Sequence, residues 1–302
     1  MGSRSHRARA LARGNARAQR GFTLVELVVT LVLSAIVVSF MAMFMVTPVN
    51  AYLAQDRRTE LADSANNATR LLNDDIRSAL PESVRQIRNG SLLALELLQT
   101  TGVARFRAQQ APPTAAIELD FNVAETQFNT IGAFGVLVPH GVAVNYAYLA
   151  VGHAGVGVPG KDAYALSNVI TPAGTAIQVT NTAPDEDTVL LNPAMTFTNS
   201  VNVRNVFFVS GPVTYLCDEA AHTLTRFWGY SISPSITAND TAGKLNGAGA
   251  SSSLVARDVS SCALTYVAGT AQHGGLVTLR LVFSRDGENV IALHQVQVEN
   301  VP

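Results

Sequence analysis

From Leu27 to Val46 the chain carries no charged residue, and one carboxylate, Glu26, stands at the head of that run. An apolar stretch of about 20 residues spans a bilayer as a helix, because a helix satisfies its backbone polar groups internally. A carboxylate inside such a helix costs roughly 2.5–3.5 kcal/mol on insertion scales, so an acid placed there marks function. Before Gly21 the chain holds six arginines, Arg4, Arg7, Arg9, Arg13, Arg17 and Arg20, and no acid. Basic residues stay on the cytoplasmic side, which puts the N-terminus inside and the chain after about Pro48 outside. The arginines are therefore an orientation signal, and no nucleic-acid partner is expected of them.

That leader distorts the totals. It holds six of the 21 Lys and Arg and none of the 22 Asp and Glu. The net charge of −1 thus hides a portion from Phe22 onward with fifteen cations against 22 anions, or −7. Both cysteines, Cys217 and Cys262, fall in the exported part. An oxidising compartment favours a disulfide between them, closing a loop of about 45 residues and contributing about 4 kcal/mol in the chain-entropy model. The alternative is two separately buried thiols. Two cysteines alone make no metal site.

Residues 22–47 read as the spanning half of a helix, in which the hydroxyls of Thr23, Thr30, Ser34 and Ser39 can bond back to the preceding turn or pack on a neighbouring helix. Pro48 is expected to kink or loosen it. Residues 48–80 read as an amphipathic continuation: Ala54, Leu61, Ala65, Ala68, Leu72, Ile76 and Leu80 form one apolar stripe at three- and four-residue steps, ended by Leu80-Pro81. From Ser91 the period changes to two. Residues 92–98 and 105–109 read as a hairpin around Thr100-Thr101-Gly102. Strands are expected at 117–123, 134–138, 142–151, 176–180 and 189–191, with a Gly-rich loop at 152–160. Residues 205–210 and 213–217 read as two strands punctuated by Gly211-Pro212, and 223–231 as a third. A mobile loop is expected at 233–253, a helical turn at 254–258 and a strand at 262–267. The clearest hairpin pairs 275–284 with 290–299. The fold class is α+β: a long N-terminal helix on an enlarged antiparallel β domain over 81–302.

Basic leader, Gly21, Phe22, then Thr23-Leu24-Val25-Glu26 and an apolar helix: this combination resembles the class III signal of type IV pilins and type II secretion pseudopilins. The resemblance implies cleavage by a prepilin peptidase between Gly21 and Phe22, N-methylation of Phe22, and assembly with other major and minor pilins into a filament. Glu26 would meet the amino terminus of the adjoining subunit, because a lone carboxylate in hydrocarbon strongly favours a partner. Glu60-Leu61-Ala62-Asp63, Asp74-Asp75-Ile76-Arg77, Phe207-Phe208-Val209 with Gly211-Pro212-Val213-Thr214-Tyr215-Leu216-Cys217, and the segment 283–301 look like the MshO proteins of MSHA-type (mannose-sensitive haemagglutinin) pili. They are similar, more weakly, to J-type minor pseudopilins of type II secretion. The resemblance implies a single-pass inner-membrane minor subunit with its β domain in the periplasm, acting at or near a filament tip.

A different class also fits part of the pattern. Val49-Asn50-Ala51 resembles a small-x-small cleavage site, which would make the chain an exported binding protein or enzyme. The apolar run is long for an ordinary signal core, however. No catalytic residue, metal site or cofactor is expected: there is no G-x-S-x-G elbow, phosphate loop or H-E-x-x-H pattern. Asp185-Glu186-Asp187 offers oxygen ligands of the kind calcium takes, but reads as a solvated acidic loop. His140, His153, His222, His273 and His294 lack ligand spacing. Trp228, with Phe227 and Tyr230, reads as core packing.

Overall fold

The computed structural model describes residues 21–108, 117–132, 140–183, 186–198, 204–269 and 274–298. Expectations that fall on the leader, on 134–138, on Asp185 and on His273 lie outside them. The chain divides into two compact units, Met1–Gln55 and Asp56–Pro302.

One helix, α1 (Leu24–Arg77), contributes to both units and runs without interruption through Pro48. In the first unit every described side chain is exposed except that of Ala54, which is half-buried. A helix apolar on all sides and covered by nothing belongs in lipid or among other helices. It is long and apolar enough to cross a membrane. Two of its hydroxyls bond back as anticipated, Thr30 to the Leu27 carbonyl at 3.0 Å and Ser39 to that of Ala35 at 2.8 Å.

In the second unit the anticipated stripe is buried: Leu61, Ala65, Ala68, Leu72 and Ile76 are all at most 3% exposed. α1 stops at Arg77, one turn earlier than expected; Ala79 forms an isolated bridge with Gln99, and Leu80 donates its N–H to the Leu98 carbonyl. Strand β1 (Arg85–Asn89) has no counterpart among the expected strands; it forms the true first hairpin with β2 (Leu92–Phe106). β2 is one long strand, not two halves of a hairpin, and Thr100 to Gly102 is a bulge within it. Glycine signals a bulge as readily as a turn.

β3 (Glu125–Ile131) replaces the strand expected at 117–123, whose residues lie outside any strand although Leu119 donates to the Arg107 carbonyl. Residues 142–151 divide into β4 (Ala143–Tyr146) and β5 (Tyr148–Val151). β6 (Ala176–Ala183) and β7 (Glu186–Met195) form a hairpin. β8 (Asn205–Asp218) is again a single strand where two were expected. The reason is its surroundings. β2 pairs along one side of β8 throughout, while β5 takes residues 206–209 and β9 (Thr223–Trp228) takes 213–218 on the other. Pro212 falls in the gap between β5 and β9, where its missing N–H leaves no partner wanting. Gly211 beside it holds φ +139°, which favours glycine.

The expected mobile loop at 233–253 is ordered. It holds a short 3-10 turn (Ile236–Ala238), helix α2 (Ala242–Gly247) capped by the Thr241 hydroxyl, and the start of β10 (Ser251–Arg257). The helical turn expected at 254–258 is thus the end of a strand. β11 (Val259–Val267), β12 (Gly275–Arg285) and β13 (Glu288–Val298) form a separate three-stranded sheet. The β12–β13 hairpin is present as expected, its two-residue turn Asp286-Gly287 taking positive φ at both positions.

The ten-stranded sheet runs β10-β9-β8-β2-β3-β7-β6-β4, with β1 on β2 and β5 on β8. Its first part and the three-stranded sheet share one core with α1, including Leu72, Leu95, Tyr215, Leu281 and Phe283. A second core, around Phe106, Phe128, Phe197 and Phe208, fills the part built from β3, β6 and β7. The sulfurs of Cys217, on β8, and Cys262, on β11, are bonded, with Cα atoms 6.5 Å apart. The disulfide therefore ties one sheet to the other.

Candidate functional site at the N-terminus

Thr23 begins the site. Its hydroxyl accepts the Glu26 N–H at 3.2 Å, and its carbonyl accepts the Leu27 N–H at 3.1 Å. Thr23 is therefore the N-cap of α1, and Glu26 is the third helical residue. Thr-x-x-Glu is a capping-box sequence, in which the threonine oxygen satisfies an N–H that the helix cannot. Glu26 in the first turn also lies where the helix dipole favours negative charge.

Gly21 and Phe22 lie just ahead of the cap, outside the helix. Phe22 is 73% exposed, and a Cβ placed on Gly21 would meet nothing within 4 Å. Among the described residues nothing shields the Gly21–Phe22 peptide, and it is not helical. Glu26 is exposed one turn further along. Among the described residues, nothing else in the chain meets its carboxylate.

The remaining sequence candidates disperse. Glu186 pairs with Arg107 at the start of β7, and Asp187 is fully buried. The acidic run is therefore not a solvated loop over those two residues. Among the described residues no group of three His, Cys, Asp or Glu could hold a metal. His153 is half-buried in the Gly-rich loop, with Nδ1 3.0 Å from both the Lys161 carbonyl oxygen and the Ala163 nitrogen. Burial pushes its imidazole below the ordinary range, against the opposing pull of the Lys161 carbonyl and Asp162. His294 lies 3.3 Å from the Asn73 amide oxygen. Phe227 and Tyr230 are core residues, and Trp228 lies half-buried beneath the Arg226 guanidinium, 5.1 Å from it.

Two buried polar networks have no readable signal in the sequence. Asp75, on α1, accepts from the Tyr215 hydroxyl at 2.6 Å, Arg226 Nε at 2.6 Å and the Gln99 amide at 3.0 Å. Glu96 is fully buried and accepts from Arg85 Nε at 2.6 Å, Tyr230 at 3.0 Å and Asn239 at 2.8 Å. Arg85 completes its shell on the Ser233 and Pro234 carbonyls and over the Tyr164 ring. Each network joins residues more than 100 positions apart, and only the fold brings them together. In both, the carboxylate is buried and takes three donors, which is the form of structural cross-links rather than of an open site.

The family described as the prokaryotic N-terminal methylation motif matches residues 16–42. No curated protein and no solved structure matches the chain. With its exposed apolar helix and its antiparallel β domain, the matched motif supports a subunit of the type IV pilin and pseudopilin type. A motif of this kind implies processing by a prepilin peptidase and assembly with other pilins, and it points to a structural subunit rather than an enzyme.

Proposed function

We propose that this chain is a minor pilin of an MSHA-like type IV pilus, anchored through residues 22–47 with its β domain in the periplasm until assembly. The observation that carries the reading is the juxtaposition at the N-terminus. A methylation motif spans an exposed Gly21–Phe22 peptide, and directly behind it a capped helix leaves some 30 residues of apolar surface uncovered. Cleavage after Gly21 frees the amino group of Phe22. Methylation keeps its positive charge and makes the terminus more apolar. Glu26 then offers a carboxylate to the terminus of a neighbouring subunit, each charge relieving the other's cost in a medium of low dielectric. The size of the β domain supports a minor rather than a major subunit, and minor subunits of this kind act in starting assembly at the tip. A J-type minor pseudopilin of type II secretion would use the same chemistry.

Intact-mass and N-terminal analysis of the protein recovered from membranes, with and without prepilin peptidase, tests this. An N-methylated Phe22 that depends on the peptidase is the expected result. A soluble product beginning at Tyr52 would replace this reading with an exported binding protein. Filament counts in a strain lacking the chain, against secretion of a type II substrate, separate the pilus from the secretion pseudopilus.

A further inference from the structure

The three-stranded sheet ends on β13, and no described strand pairs with its outer side. Arg285 and Glu288 close the two-residue turn as a hydrogen-bonded pair. Alternation from there turns the N–H and C=O groups of Asn289, Ile291, Leu293, Gln295 and Gln297 away from β12. All eleven residues of β13 pair with β12 without a register shift. Edges of this kind are ordinarily blunted by a bulge, a proline or an inserted lysine. β13 has none of these, and its one carboxylate, Glu288, is at its first residue. Two other edges are treated differently. β10 has a bulge between Leu254 and Ala256. The main chain of β11 is engaged from outside: the Cys262 carbonyl accepts from Arg88, and its N–H donates to Glu219 at 2.9 Å.

Beside the open edge runs a groove of about 770 Å³, with Asn66, Arg70, Asn73 and Arg77 of α1 on one wall and residues 294–297 of β13 on the other, His294 lying 3.3 Å from the Asn73 amide oxygen. Arg70 and Arg77 are exposed, and among the described residues they form no ion pair; Asp74, between them in sequence, pairs with neither. On the opposite side of the strand, the outward face of the sheet leaves Ile291 and Leu293 at 57% and 68% exposure. A strand laid along β13 would therefore meet cations on one face and apolar side chains on the other.

We propose that β13 accepts an extended segment of a different polypeptide as a fourth strand, one that alternates acidic and apolar residues. Main-chain bonds to the outward groups would supply affinity, and the alternation would supply selectivity, since successive side chains of a strand point to opposite faces. A second copy of β13 is a poor match. It offers one carboxylate against two arginines, and none near the middle of the strand.

The test uses the full-length chain in detergent and a dye-labelled synthetic peptide of about ten residues, a typical strand length, alternating aspartate with valine and threonine. Saturable binding with Kd below about 1 mM is expected, and a peptide with lysine in place of aspartate should fail to bind. Arg70→Glu with Arg77→Glu should invert that preference; both side chains are exposed, so the fold survives. Leu293→Pro removes an outward N–H together with one of the two exposed apolar side chains, and should weaken binding by at least about tenfold with an unchanged melting temperature. Amide exchange should slow at Leu293, Gln295 and Gln297 when the peptide is bound. Absence of saturable binding, indifference to the charge reversals, or protection elsewhere overturns the proposal. Self-association abolished by Leu293→Pro would make a second copy the occupant and overturn it equally.

Discussion

α1 is one helix with two opposite requirements. Over residues 24–55 it is apolar on every side and leaves that surface open; over residues 56–77 it presents one stripe that is buried and two faces that are polar. Both stretches are α-helical. The difference teaches that helicity here is separable from packing. The second stretch is held by the β sheets of its own chain. The first still needs a medium or a partner to cover it, and what covers it decides where the protein resides.

The largest effect expected on this contrast is at Asp75. Asp75→Ala would leave Arg226 and Tyr215 facing each other without their shared carboxylate, at a cost of about 3–5 kcal/mol, visible as a lower melting temperature of the β domain. Retention of full stability would mean that the packed stretch is held by its apolar stripe alone. Leu72→Ala, in the same stretch, should cost about 3 kcal/mol through lost burial and the cavity left behind. A loss below about 1 kcal/mol would show that the site collapses to fill itself.

A smaller and pH-dependent effect lies at His153. Its folded-state pKa is below the unfolded value, so the unfolded chain takes up the proton first on acidification. Stability is full above about pH 6.5 and falls as pH drops through that value. In a melting series from pH 8 to 5, His153→Asn should show the shallower decline; parallel curves would remove His153 from the account. The smallest effect belongs to the uncovered stretch. Leu33→Ala should shift the melting of the β domain by less than about 0.5 kcal/mol. A shift like that of Leu72→Ala would erase the distinction between the two stretches.

The parts of this molecule legible from sequence are those whose chemistry is local. Thr23, Glu26 and the charge-free run behind them lie close together along the chain, and the stripe from Leu61 to Ile76 repeats at the helical period. The final hairpin is legible because Asp286-Gly287 is a turn by its own chemistry. What misleads is punctuation. Gly102 and Gly211-Pro212 read as turns, but they are irregularities inside long strands, because strands far away in sequence continue past them. The segment around α2 reads as loop because it is small and polar, although Thr241 caps a helix there and Leu245 is buried. Asp75 is indistinguishable in sequence from its acidic neighbour Asp74; its partners lie on strands 24 to 151 residues away.

That carboxylate has a mechanical side. Gln99, Tyr215 and Arg226 stand on β2, β8 and β9, three adjoining strands, and all three grip Asp75. A pull along the axis of α1 would load these bonds side by side rather than one after another. Tension reaching the β domain through its helix would then be divided among three strands before any one of them had to yield.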